Sequence, residues 1–355
     1  MSLLSQESTA SCRVPQKGVG PGETVSQAGE DLAKGAPSRT VLWDYVAIAR
    51  PDHWFKNVFM AAGIVLGYFY YPSALTVPDI ARMLWGLAAT CVLASSNYVL
   101  NESLDARTDR SHPTKHCRPI AAGRIRPPLA YLEWILLGTL GMAMAYAVNA
   151  PFMLAGLLLL FMGIVYNVPP VRSKNLPYLD VLSESVNNPI RLALGWFVVN
   201  PKAIPPLSLV AAFWMVGAFF MAGKRFAEFR SIGDAGRAAA YRASFRFYDE
   251  AKLLTSMFFY GTASALLLGV FIVRYHLELI LSLPLMAGFF SWYLHITLKR
   301  DSAAQAPERL YRERGLMIYL GVCVTVFLLL MFVRVSVLYE WFNFEPSSVP
   351  SLWEF

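Results

Sequence analysis

Directly after an apolar segment the chain reads Asn101-Glu102-Ser-Leu-Asp105-Ala-Arg-Thr-Asp109-Arg-Ser-His112-Pro-Thr-Lys115-His-Cys-Arg118-Pro-Ile-Ala-Ala-Gly123. Residues four apart in an α-helix advance by only about 40° around its axis. If the helix continues, Asn101, Asp105 and Asp109 therefore share a face, with the Glu102 carboxylate beside them. Oxygen ligands in this arrangement suit Mg²⁺, which keeps several waters and is held by one or two carboxylates plus substrate phosphates. Lys115 and Arg118 follow as phosphate partners. The competing reading is that these charges cap a helix and solvate a loop, as juxtamembrane charges commonly do. Their place at the end of a span favours the metal.

A second constellation lies at Ala222-Gly223-Lys224-Arg225-Phe-Ala-Glu228-Phe-Arg230. Lys224 and Glu228 stand one helical turn apart and could be an ordinary pair of about 0.2–0.5 kcal/mol. The alternative is a cationic clamp, with Lys224 or Arg225 gripping phosphate and Glu228 orienting the clamp. Arg237, Arg242 and Arg246 follow in an amphipathic loop. Between the two constellations runs a polar connector from Tyr166 through Arg172 and Lys174 to Asp180, followed by Glu184 and Arg191 inside an apolar stretch. A charge within a span costs about 2.5–3.5 kcal/mol on insertion scales. Glu184 and Arg191, seven residues apart on one helix face, therefore pair with each other or line a polar cavity.

The elements that must position these groups are membrane spans. Of 355 residues, 56% are hydrophobic and 15% charged, whereas soluble domains carry about 25% charged residues. Nine apolar segments of roughly spanning length are expected, at 56–71, 80–101, 129–147, 151–167, 179–199, 206–223, 253–273, 277–297 and 315–337. Residues 1–40 are polar and rich in Ser, Gly and Pro, and are read as a disordered tail. The catalytic region is 41–340, and 341–355 is a short tail. One set of alternate loops holds six, two, seven and five Lys or Arg, and the other set holds Arg82, Lys202, Arg274 and Arg334. The basic set belongs in the cytoplasm, with the N-terminus, in a multi-pass inner-membrane protein whose last tail lies outside. Topology thus accounts for the net charge of +7, and no nucleic-acid partner is expected. Cys12, Cys91, Cys117 and Cys323 show no C-x-x-C spacing, so neither a zinc site nor a disulfide framework is indicated and reduced thiols are expected. The two charged loops hint at an internal pseudo-repeat facing one cavity.

With these residues in place the chain, over about 44–338, resembles the UbiA superfamily of membrane prenyltransferases. That resemblance implies an all-α bundle of nine transmembrane helices, a polar cavity open to the cytoplasm, and Mg²⁺-diphosphate bound by two acidic motifs. Asn101, Asp105 and Asp109 match the first motif, with Glu102 where many members have Asp. In place of the second acidic motif stands Lys224-Arg225-x-x-Glu228. Together with Arg50-Pro51-x-x-Trp54-x-Lys56-Asn57 and His112-Pro113-Thr114-Lys115-x-x-Arg118-Pro119, it is similar to the decaprenyl-phosphate phosphoribosyltransferase branch. The branch implies that polyprenyl phosphate attacks the anomeric carbon of 5-phosphoribosyl 1-diphosphate and releases diphosphate. Asp105 and Asp109 would then carry the catalytic metal with Asn101 and Glu102. Substrate contacts would come from Lys56, Lys115, Arg118, Tyr166, Lys174, Asp180, Arg191, Lys224, Arg225, Glu228 and Arg242. His112, before Pro113, shapes a turn. The rival readings are a transferase moving a prenyl chain to an aromatic acceptor and a lipid or solute transporter. Self-association stays open.

Overall fold

The computed structural model describes residues 41–72, 75–110, 115–305 and 310–342. The tail at 1–40, His112 and residues 343–355 lie outside them. The described residues are all-α: α1 (Val41–Ala49), α2 (Phe59–Tyr70), α3 (Val77–Asp109), α4 (Pro127–Val148), α5 (Ala150–Asn167), α6 (Leu179–Ser185), α7 (Asn187–Val199), α8 (Leu207–Ile232), α9 (Ala235–Tyr241), α10 (Glu250–Tyr275), α11 (Leu283–Thr297), α12 (Arg314–Phe332) and α13 (Ser336–Trp341). Short 3-10 segments intervene, notably Pro51–Val58, Ser173–Asn175, Ala243–Arg246 and Leu277–Ser282.

Seven helical stretches of the described residues are long and apolar enough to cross a bilayer: α3, α4, α5, α8, α10, Leu277–Thr297 and α12. Their outward faces are apolar. On α4, for instance, Leu129, Leu132, Ile135, Leu136 and Leu140 are all exposed, which is the surface a lipid-facing helix presents. The protein is a multi-pass membrane protein. Two of the nine expected spans are not among the seven. The segment 56–71 becomes a 3-10 lead-in and the 12-residue α2. The segment 179–199 breaks at Val186 into α6 and α7. Pro189 explains the break, because it offers no N–H to the carbonyl of Ser185 and its ring crowds that carbonyl.

The chain divides into two compact units. One comprises the chain up to Lys56 with Cys91–Gly141, and the other comprises Asn57–Thr90 with the chain from Met142 onward. In the first, α1, the middle and end of α3 and the start of α4 enclose Ile48, Val99, Ala106, Ile120, Ile125 and Ala130. In the second, α8 and α10 are the main packing pair, and Phe219, Phe226, Phe245, Met257, Tyr260 and Tyr293 are prominent in its core. Cys91 and Cys323 are buried free thiols. Cys117 is disulfide-bonded, which departs from the expectation of reduced thiols.

Within the second unit α2 and α7 meet backbone to backbone. A methyl on Gly63 would sit 1.9 Å from the Leu192 carbonyl oxygen, and one on Gly195 would sit 2.0 Å from that of Met60. Small residues permit such approach in membrane helices. The contact also fixes Arg191, on α7, against Asn57 just before α2: Nε donates to Asn57 Oδ1 at 2.8 Å and one terminal nitrogen to the Asn187 carbonyl at 3.2 Å. Gly195→Ala is expected to destabilise the protein by about 1–3 kcal/mol, the usual cost of overpacking. Gly269→Ala, where a methyl meets nothing within 4 Å, should be neutral or slightly stabilising. Thermal unfolding of the two variants in one detergent checks this; equal melting temperatures would overturn it.

Candidate functional site

In the first unit, the end of α3 and the turns at 115–126 gather the acidic motif. The 40° drift per four residues decides what each side chain meets. Asn101 and Asp105 sit half-buried at the edge of the helix's packed face, whereas Glu102 and Asp109 have rotated into it and are 1% and 3% exposed. Asp109 accepts from Arg118 at 2.5 Å. Glu102 accepts from Arg50 at 3.4 Å and from the Ile120 N–H at 3.4 Å. Arg50 reaches it from a left-handed backbone conformation at φ +50°, where the chain turns out of α1 into Pro51. That conformation costs an L-residue about 1–2 kcal/mol, and the ion pair helps to offset it. Arg124 holds the turn to α1 through Asp44 at 3.0 Å and to the Cys117 carbonyl at 3.2 Å. Burial, and then the nearby Arg118 charge, pull the Arg50 guanidinium below its ordinary pKa, with Glu102 acting against both. Two arginines crowding one another make a place where an anion is welcome. Lys115 opens the same turn, its carbonyl accepting from the Arg118 N–H at 3.0 Å. Lys56 is half-buried at the end of the unit's Pro51–Lys56 segment.

In the second unit three carboxylates converge on Arg225, which is 1% exposed. Each guanidinium nitrogen has its own partner: Nε meets Asp180 at 3.3 Å, one terminal nitrogen meets Glu184 at 2.6 Å, and the other meets Glu228 at 3.1 Å. Tyr166 donates to the same Glu184 oxygen at 3.0 Å. Asp180, fully buried, also accepts from Ser244 at 3.1 Å and from Tyr248 at 2.7 Å, and stands 3.8 Å from Arg242. Burial and then the Asp180 charge push the Tyr248 phenol up, which keeps it a donor to Asp180, and its oxygen accepts from the Tyr178 N–H. Tyr178 has φ +64°. Gly233, at φ +68°, ends α8 in the left-handed conformation that suits glycine, and the chain then runs through α9 to Ser244 and Tyr248. Asp180 thus ties the segment after α8 to the start of α6.

Cations surround this cluster. Lys174, 8% exposed, donates to Asn167 at 2.9 Å and lies 5.8 Å from the centre of the Tyr166 ring. Lys224 stands 4.0 Å from Glu228. Arg242 keeps a buried Nε without a hydrogen-bond partner.

The structure therefore brings Asn101, Glu102, Asp105, Asp109, Lys115 and Arg118 together in one unit, and Tyr166, Lys174, Asp180, Arg225, Glu228, Lys224 and Arg242 in the other. Three placements differ from expectation. Glu102 turns to Arg50 and the Ile120 amide, away from the Asn101 side of the helix. Arg225 faces carboxylates and is enclosed by them. Glu184 and Arg191 do not share a helix, since the break at Val186 sends Glu184 to Arg225 and Arg191 to Asn57. Sequence reasoning missed Ser244 and Tyr248, 64 and 68 positions from Asp180, which no periodicity marks.

Among the described residues no group of three or more His, Cys, Asp or Glu is gathered to cage a metal ion. Asn101, Asp105 and Asp109 instead offer one amide and two carboxylates along one helix. That set fits Mg²⁺ when phosphate and water supply the remaining oxygens.

Comparison with known proteins identifies the lineage. The sequence profile of the UbiA prenyltransferase family matches residues 57–320. A decaprenyl-phosphate phosphoribosyltransferase of Mycobacterium tuberculosis is 30% identical over 247 residues, covering 68% of this chain and 77% of that protein. One from Corynebacterium glutamicum is 30% identical over 201 residues, 56% of this chain and 58% of that protein's length. Among solved structures, a UbiA homologue from Archaeoglobus fulgidus bound to GPP and Mg²⁺ superposes with a TM-score of 0.60 at 20% identity, over 81% of this chain and 98% of that one. The chain belongs to the UbiA prenyltransferase family.

Proposed function

We propose that this protein is a membrane phosphoribosyltransferase that moves 5-phosphoribose from 5-phosphoribosyl 1-diphosphate to polyprenyl phosphate. The observation that carries the reading is the composition of the Arg225 cluster. Asp180, Glu184 and Glu228 stand among Lys174, Lys224 and Arg242, a mixture suited to a ligand bearing both hydroxyls and phosphate. Carboxylates accept from sugar hydroxyls and cations bind phosphate oxygens. An isoprenoid chain has no hydroxyls to offer such carboxylates. The names of the mycobacterial and corynebacterial relatives support the same reading. The ligands of the Archaeoglobus protein support only the pairing of metal with diphosphate.

In this reading the polar ends of the spans face the cytoplasm, as the distribution of Lys and Arg among the loops favours. Asn101, Asp105 and Asp109 would hold Mg²⁺, which when bound neutralises the charge of the departing diphosphate. Arg118 and Lys115 bind phosphate oxygens. Lys224, Arg242 and Lys174 hold the ribose 5-phosphate or the lipid phosphate, and Glu184 and Glu228 orient the ribose. A lipid phosphate oxygen forms the new bond to the anomeric carbon while the bond from that carbon to diphosphate breaks. The nucleophile is already ionised, so no general base is needed.

The test is incubation of purified protein with Mg²⁺, radiolabelled 5-phosphoribosyl 1-diphosphate and a short polyprenyl phosphate, followed by extraction into organic solvent. Label should enter the organic phase, and chelation of Mg²⁺ should reduce it at least about 100-fold. Product formed only from a prenyl diphosphate and an aromatic acceptor would sink the reading. So would vesicle uptake of substrate without any product.

A further inference from the structure

A second built feature lies at the far end of α12. There Met331, Phe332, Val333, Arg334 and Tyr339, with His276 and Glu278 from the turn after α10, line a cavity of about 330 Å³. Glu278 is fully buried and its charge is answered locally: it accepts from the Val335 N–H at 3.1 Å and the Tyr339 hydroxyl at 3.1 Å, and pairs with His276 Nδ1 at 3.4 Å. The other nitrogen of His276 lies 2.8 Å from the Leu330 carbonyl oxygen. Arg334 differs. Its guanidinium lies 5.6 Å from the centre of the Tyr339 ring, and among the described residues it makes no ion pair. Glu278 is thus engaged by three groups of its own surroundings, while Arg334, exposed at the rim, is left to meet an anion from outside.

The surroundings indicate what brings the counter-charge. α12 has 19 residues, about 28 Å at 1.5 Å per residue, so its end reaches the depth of the lipid headgroups. Phe332, Val333, Val337 and Trp341 are exposed there, as side chains bordering acyl chains are. We propose that this cavity is a binding site for an anionic phospholipid, with its phosphate on Arg334 and its glycerol and upper acyl chain against Phe332 and Val333. A soluble anion would find the charge but waste the apolar rim. A zwitterionic lipid would bring a cation that Arg334 repels.

The test reconstitutes the protein in nanodiscs of phosphatidylcholine with and without phosphatidylglycerol, and native mass spectrometry counts the retained lipid. Wild type should retain phosphatidylglycerol in preference to phosphatidylcholine, and Arg334→Gln should weaken that preference about five- to tenfold. Arg82→Gln, at an exposed arginine already paired with Asp79, should leave it unchanged. Equal preference in wild type and Arg334→Gln overturns the proposal, as does an equal loss in Arg82→Gln, which would reduce the effect to generic surface charge. Retention of inorganic phosphate by wild type in phosphatidylcholine discs, at the occupancy that phosphatidylglycerol reaches, would overturn the lipid as occupant.

Discussion

Arg225→Ala is expected to destabilise the protein by about 3–5 kcal/mol, the usual cost of removing one partner from a buried ion pair, and to lower the melting temperature on the order of 5–10 °C. The guanidinium is the common partner of Asp180, Glu184 and Glu228, so its loss leaves the buried Asp180 and the partly exposed Glu184 and Glu228 without it. Arg225→Lys keeps the charge, but a single ammonium cannot reach three directions, and an intermediate loss is expected. A double-mutant cycle isolates the cause. Adding Glu184→Gln to Arg225→Ala should recover part of the stability, because it removes one of the mutually repelling charges. If the two losses simply add, Arg225 is not the hub described here. In the proposed function Arg225 acts through Glu184 and Glu228, so activity should fall in step with the displacement of those side chains.

The second large effect separates the acidic residues of α3 by what each one touches. Asp105→Asn is expected to lower the rate of transfer about 1000-fold, corresponding to about 4 kcal/mol of lost transition-state stabilisation. Glu102→Gln should act on stability instead. Its carboxylate is engaged by Arg50 and the Ile120 amide, so it should lose about 1–3 kcal/mol of stability and retain most of its turnover. Asp109→Asn, which breaks the pair to Arg118, should show both losses. Paired melting and radiolabel assays on the three variants read this directly. Similar kinetic losses in Asp105→Asn and Glu102→Gln would mean that the two carboxylates share one task.

These three residues also show how far the sequence reaches. The four-residue spacing of Asn101, Asp105 and Asp109 is legible because helix geometry is the same wherever the helix lies. Their separate fates are not, because which side of α3 is packed depends on α1 and on the turns at 115–126, and those contacts bridge up to 80 residues, as between Asp44 and Arg124. Apolar length located most of the spans for a similar reason: hydropathy is a local sum. It could not see that Pro189 interrupts the segment 179–199, since a single residue scarcely changes that sum while removing a backbone donor. Nor could spacing pair Asp180 with Ser244 and Tyr248. Loop residues meet wherever the chain returns, and only the fold specifies that.

The glycine contact between α2 and α7 bears on how a long isoprenoid can move. Gly63 and Gly195 bring the two backbones so close that not even one added methyl fits. A methylene chain cannot slip through such a seam without prising the helices apart. In the proposed function the tail of the polyprenyl substrate therefore threads a different gap, and a photoreactive lipid should label helices other than α2 and α7 at that level.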